Sequence, residues 1–152
     1  MLYATALTQC VLYLLFQGLE NVALLTQHGV LPPALPARLN FSSNARVYLW
    51  SYRAWFAGVL CDFVRLGREA QLEKRRRALR AEGEKAAVGV VEEDRMADAR
   101  WWADAVVPAA WFPMALHCAF DKGLPGWNLG VMGLSGGIAG LGKIADMWQA
   151  TA

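Results

Sequence analysis

The chain has 152 residues, of which 56% are hydrophobic and 18% charged, with a formal net charge of +2; typical soluble domains run at roughly 45–50% and about 25%. That length points to a single domain over 1–152, and the composition excludes a disordered tail, a collagen-like chain and a low-complexity chain. The net charge is too small to argue for nucleic acid as a partner, while seven Trp and a mean hydropathy of +0.24 fit a membrane-facing or densely packed helical protein.

Residues 2–27 read as a helix with no charge before Glu20. Thr5, Gln9, Gln17, Glu20, Asn21 and Gln27 fall in one arc of about 160° at roughly 100° per residue, and the rest of the surface is apolar. The segment is long enough to span a bilayer, which takes about 20 residues; its polar stripe equally suits an in-plane or bundle-packed helix. Gly29 and the run Pro32-Pro33-Ala34-Leu35-Pro36 stop it. Ser42, Ser43 or Asn44 can cap the next helix.

The second helix starts at about Asn44 and runs through VYLWSYRAWFAGVLCDFVRL. Arg53 and Asp62 lie nearly opposite each other on it, so it has no single solvent face. Each charge then needs a partner in another helix, because an unpaired buried charge is costly. An apolar region of two helices, 1–64, gives way to a charged insert at 65–100, which holds 18 of the 28 charged side chains. Strong helix formers and Glu/Lys/Arg pairs at helical spacing let the helix run on into solvent there. Arg68, Lys74, Arg75, Arg76, Arg77 and Arg80 make a basic stretch suited to anionic lipid or a partner protein. Gly83 and Gly89 predict a flexible loop near 82–92.

A third helix is expected from Glu92–Asp98 onward, through Pro108 and Pro113, prolines that membrane bundles tolerate. His117 reads as a hydrogen-bonded structural histidine. Residues 123–142 carry no charge and eight Gly. In water such a helix is poor, at about 0.8–1.0 kcal/mol per Gly relative to Ala; in a bilayer Gly permits close helix contact. The spacings Gly126/Gly130, Gly133/Gly137 and Gly136/Gly140 mark candidate packing positions. Residues 101–152 thus form an apolar helical hairpin, and the whole reads as an all-α, membrane-associated bundle of about four helices.

Chemistry is not signalled. Cys10, Cys61 and Cys118 lie far apart, with no metal-ligand spacing, and are expected to be reduced, buried thiols. There is no HExxH, no GxSxG and no phosphate loop: Lys143 after the glycines is not followed by Ser or Thr. No catalytic, cofactor or metal residue is assigned, and the expectation is a protein that is not an enzyme and takes no cofactor.

Four segments in order carry a resemblance: LYLLFQGLENVALLTQHGVLP (12–32), LWSYRAWFAGVLCDFVRLGRE (49–69), ADAVVPAAWFPMALHCAF (103–120) and GVMGLSGGIAGLGKIADMWQATA (130–152). The arrangement resembles the peroxin-11 family of peroxisomal membrane proteins, particularly its fungal members. The Tyr52-Arg53-Ala54-Trp55 phrase, the basic insert and the Gly-rich end with its Trp-containing tail carry the match. The chain begins at what looks like the middle of the family's length; either the product is shortened or the family's N-terminal amphipathic helix lies outside this sequence, and direct membrane bending by this chain requires residues 2–27 to take over that role. The resemblance implies a peroxisomal membrane location, self-association into homo-oligomers, and proliferation through membrane elongation and fission with dynamin-related GTPases. It also implies termini and basic insert on the cytosolic side, which agrees with the rule that Lys/Arg loops stay there. An alternative is a helical-bundle channel for small metabolites, with Arg53, Asp62, Asp104 and His117 lining a polar path.

Overall fold

A computed structural model describes residues 2–83 and 88–151, and among them every regular element is helical. The helices are α1 (Leu2–Gln27), α2 (Leu35–Arg38), α3 (Asn44–Gly83), α4 (Val88–Ala119) and α5 (Leu129–Thr151). The all-α class expected from the sequence is what is observed.

Each boundary has a local cause. α1 ends where Gly29 takes φ +72°; the Gly29 amide donates to Thr26 O (3.2 Å) and the Val30 amide to Leu25 O (2.9 Å), the paired bonds of a left-handed C-terminal cap. The proline run does not break structure altogether. It forms the single turn α2, because Pro36 falls in that turn's first positions, where its missing N–H costs nothing. Ser43 Oγ accepts the Arg46 amide (3.4 Å) to cap α3, and Asn128 Oδ1 accepts the Val131 amide (3.0 Å) to cap α5. α5 therefore starts at Leu129, later than the expected 123, and runs on to Thr151.

The helix that the sequence carries past Arg65 does run on: α3 continues unbroken for 40 residues to Gly83. One further expectation changes. α4 begins at Val88, ahead of the expected Glu92–Asp98, with both prolines inside it. Of the loop expected near 82–92, residues 84–87 lie outside the described residues, while 88–92 are helical.

The long helices pack in sequence order, α1 on α3, α3 on α4 and α4 on α5. Along the first seam Gln9 Nε2 donates to Gly58 O (3.2 Å), Phe16 stacks on Trp55 (5.8 Å), and Asn44 Nδ2 donates to Ala23 O (2.9 Å). Along the second, Trp55 meets Trp111 edge-on (5.6 Å), Phe56 meets Phe112 (5.6 Å), and Trp101 Nε1 donates to Leu66 O (3.0 Å). Along the third, Ser135 Oγ donates to Ala110 O, one residue beyond the Ala109 carbonyl that Pro113 cannot serve.

Little apolar surface is consumed by this packing. The buried apolar side chains are Val47, Leu49, Val59, Leu66 and the alanines 23, 115, 119 and 139. The accessible area is 10747 Å², whereas a compact monomer of 16.7 kDa exposes about 7,600 Å². Leu14, Leu134 and Leu141 are each more than 60% exposed.

The α1–α3 seam depends on the absence of a side chain at Gly58, where a Cβ would stand 2.8 Å from Tyr13 Cε1. Gly58→Val should push α1 away and destabilise the fold by about 1–3 kcal/mol, measured by denaturant titration in detergent micelles. Gly67→Ala, with open space around it, should leave stability equal or higher.

Candidate lipid and partner interface

Beyond Leu66, α3 carries the basic stretch away from α1 while the first half of α4 returns beside it. Arg77 is the clasp between them. Its guanidinium grips Asp98 with both Nη atoms (2.8 and 3.2 Å), donates from Nε to Glu73 (3.0 Å), and reaches the Asp94 carbonyl (3.1 Å). Arg80 pairs with Asp94 (3.4 Å). Two of the six residues expected to contact lipid or a partner, Arg77 and Arg80, are thus turned onto α4. Carboxylates at 94 and 98 face them across an antiparallel pair, which the chain order hides. Arg76 shares Glu73 (3.0 Å), and Arg68 reaches Gln71 (3.1 Å). Lys74 and Arg75 point outward and carry no ion pair among the described residues, so they remain the outward-facing cations of the stretch.

The clasp sets local electrostatics. The hydrogen bond from Arg77 holds Asp98 below the usual carboxylate range. Burial works to raise Glu73, but hydrogen bonds from Arg77 and Arg76 outweigh it and leave that carboxyl lowered too. The hydrogen bonds to Asp98 and Glu73 push Arg77 upward. An open groove of about 850 Å³ runs beside the clasp, with Leu72, Met96 and Trp101 in a wall otherwise mostly charged.

Arg53 and Asp62 do not pair with each other. Arg53 Nε donates to Ala119 O at the end of α4 (3.2 Å), its Nη2 lies 3.7 Å from Asp121, and its guanidinium sits over Trp50 (5.1 Å). Arg46 meets the same Asp121 (3.5 Å). Asp62 accepts from Tyr13 OH on α1 (3.4 Å) and pairs with Arg65 on its own helix (3.3 Å). Each charge finds a group on another element, at opposite ends of the α3 apolar stretch.

The six packing glycines separate. Gly126 is not in a helix: it sits in the α4–α5 turn at φ +76°, which removes the Gly126/Gly130 spacing as a helical contact. Gly130 lies against the capping Asn128. Gly136 packs on Trp111 (3.6 Å). Gly133, Gly137 and Gly140 have no atom within 4 Å of an added Cβ, so no neighbour within this chain requires glycine at these positions. The glycines that intrachain packing does require, Gly58 and Gly123, were not among them. Gly123 takes φ +63°, and a Cβ there would collide with His117. A Gly and its distant aromatic partner leave no pattern in one sequence; Gly123 beside Pro125 was at least a turn signal.

His117 is engaged as expected: Nδ1 accepts the Leu124 amide (2.8 Å), and the ring stacks on Trp127 (5.4 Å). The cysteines are free thiols, but none is fully buried as expected: Cys61 and Cys118 are half-buried and Cys10 is exposed, because α1 packs on α3 along its other side. No group of three or more His, Cys, Asp or Glu able to hold a metal occurs among the described residues.

α1 is long and apolar enough to cross a membrane, and the shorter Leu129–Gly142 stretch of α5 is apolar as well. No family model, curated protein or solved structure matches the chain, so the peroxin-11 likeness rests on the four segments quoted above.

The Arg77–Asp98 clasp predicts a pH response of known sign. A carboxyl whose folded pKa is depressed contributes stability above its unfolded value, and that contribution is lost as pH falls through the folded one. Amide-exchange protection over 73–83 and 88–98 should hold from neutral pH to about pH 4, the ordinary Asp value, and fall in stronger acid. Asp98→Asn should lower protection at neutral pH and flatten the acid response, leaving 44–64 unchanged.

Proposed function

We propose that this chain is a peroxisomal membrane protein that promotes proliferation of the organelle by self-association and lipid contact, elongating the membrane ahead of fission by dynamin-related GTPases. The observation that carries its membrane half is the excess exposed surface, roughly 3,000 Å² over a compact monomer of this mass, together with an α1 of spanning length. Part of that surface belongs to the charged arm, but large apolar side chains such as Leu14, Leu134 and Leu141 stand exposed within it, and an exposed apolar face seeks lipid or another protein. The peroxisomal half rests on the resemblance.

The parts have separate tasks in this reading. Gly133, Gly137 and Gly140 leave the outer side of α5 smooth, and small residues at such spacing let a helix of a second copy approach closely. Lys74 and Arg75 meet anionic headgroups, each contributing about 1 kcal/mol near a charged surface. The channel alternative asks Arg53, Asp62, Asp104 and His117 to share one path. Arg53 and Asp62 bond at opposite ends of α3's apolar stretch, and His117 is tied to the turn, so the geometry of one copy favours the scaffold over the pore.

A fluorescent fusion should follow a peroxisomal marker, resist alkaline carbonate extraction, and on deletion leave fewer and rounder peroxisomes. A carbonate-soluble protein spread through the cytosol sinks the proposal. Gly133→Leu with Gly137→Leu should reduce cross-linked oligomers several-fold without loss of membrane retention.

A further inference from the structure

The charges of the four long helices sort into two levels. α1 runs antiparallel to α3, with Asn44 at Ala23 and Gly58 at Gln9; α4 runs antiparallel to α3, with Leu66 at Trp101 and Arg53 at Ala119. At one level lie Glu20, Arg46, Asp121 and Lys122, and Arg53 reaches that level because its guanidinium shares Asp121 with Arg46. At the other lie Asp62, Arg65 and Asp104, with Asp62 turned to Arg65. Between them α1 has no charge from Leu2 to Leu19, α4 none from 105 to 120, and α5 none from Leu129 to Gly142. Arg46 to Arg65 spans about 28 Å at 1.5 Å per residue, and the hydrocarbon of a bilayer is about 30 Å thick.

Three independent features follow the same two levels. Trp101 and Trp102 lie at one and Trp50 and Trp127 at the other, as interfacial aromatics do, whereas Trp55 and Trp111 face each other between them. Among the described residues, the buried side-chain polar atoms that lack a partner, Thr26 Oγ1, Asn44 Oδ1 and Trp127 Nε1, all belong to the α1–α3 and α4–α5 connection end, and none lies within the band. In the band each helix turns large apolar side chains outward, Leu14, Leu60, Val107 and Ile138 among them, and on α1 the uncharged Thr8 and Gln17 are exposed as well.

We infer that all four long helices cross the bilayer, not α1 alone, and that the band between the two charge levels is the surface that lipid hydrocarbon covers. The charged halves of α3 and α4 then stand out of the membrane as a clasped helical stalk. The stalk and the two chain ends lie on one side; residues 28–43 and 120–128 lie on the other. Helix composition marks α1 alone because α3 and α4 each join an apolar crossing to a charged stalk, with Arg53 and Asp62 counted in the crossing, and because the apolar stretch of α5, Leu129–Gly142, is only about 20 Å long at 1.5 Å per residue. The inference rests on the membrane reading but not on the organelle.

Sealed vesicles carrying the full chain test it in two ways. Trypsin added outside vesicles that expose the stalk should cut wild-type protein at Lys74–Arg80 and spare Arg38 and Lys122 until detergent is added. In a cysteine-free chain that still resists carbonate, Arg75→Cys should react at least tenfold faster with an impermeant maleimide than Ser42→Cys or Lys122→Cys, and detergent should abolish that difference. Leu14→Cys, Val107→Cys and Ile138→Cys should stay unreactive before solubilisation. Cleavage at Arg38 or Lys122 from the same side as the stalk, in protein that remains carbonate-resistant, overturns the four crossings and leaves the membrane-shaping reading standing. Carbonate-soluble protein overturns both. A carbonate-resistant protein with the expected pattern in another organelle overturns only the peroxisomal reading.

Discussion

α4 stops at Ala119, and the last carbonyls of a helix need donors that the helix itself cannot supply. Arg53 supplies one from the first half of α3 (3.2 Å). A hydrogen bond from a charged donor is worth about 1.5–3 kcal/mol, more than the half-exposed ion pair with Asp121, for which about 0–1 kcal/mol is usual. The carbonyl contact therefore fixes the register of α4 on α3, and Asp121 mainly orients the guanidinium that makes it. Once that register is set, Trp111 meets Trp55, Phe112 meets Phe56, Trp101 reaches Leu66, and Arg77 arrives opposite Asp98.

α3 is the element everything else is measured against. Its first half holds α1 on one side and α4 on the other, through Gly58 and the Tyr52–Trp55–Phe56 aromatics. Its second half leaves α1 behind and keeps only α4. The two halves are stabilised by different physics. The first relies mainly on close approach, aromatic contact and the Arg53–Ala119 hydrogen bond, of which salt touches only the last. The second relies on charge pairs that salt screens within about 8 Å at physiological ionic strength. A single helix thus joins an apolar layer to a polar arm, and the proposed function uses that join: the layer meets lipid, and the arm meets headgroups and partners.

α5 is held differently. Ser135 and Ala139 face inward and are buried, Gly136 meets Trp111, and the neighbouring glycines look away from the chain. The turn that delivers α5 is fixed by His117, whose ring accepts the Leu124 amide and lies on Trp127. α5 is therefore firmly joined at its start and smooth along its outer side, an arrangement suited to docking a second copy.

The residues alone determined the helical class, the positions of α1 and α3, the punctuation at Gly29 and Ser43, and the tolerated prolines, because these are local consequences of periodicity, φ restriction and capping. They also marked His117 as a structural histidine and Arg53 and Asp62 as charges in need of partners. Tertiary structure decided which partners those were, since Ala119, Asp121 and Tyr13 lie tens of residues away and leave no trace in spacing. It decided that Arg77 and Arg80 face α4 while Lys74 and Arg75 face outward, because one helix face becomes interior only when α4 lies on it. It also reassigned the glycines: Gly58 and Gly123 are required by a facing ring, Gly126 by a turn, and Gly133, Gly137 and Gly140 by nothing within this chain. Close approach is a property of two surfaces, and the sequence of one segment describes only one of them.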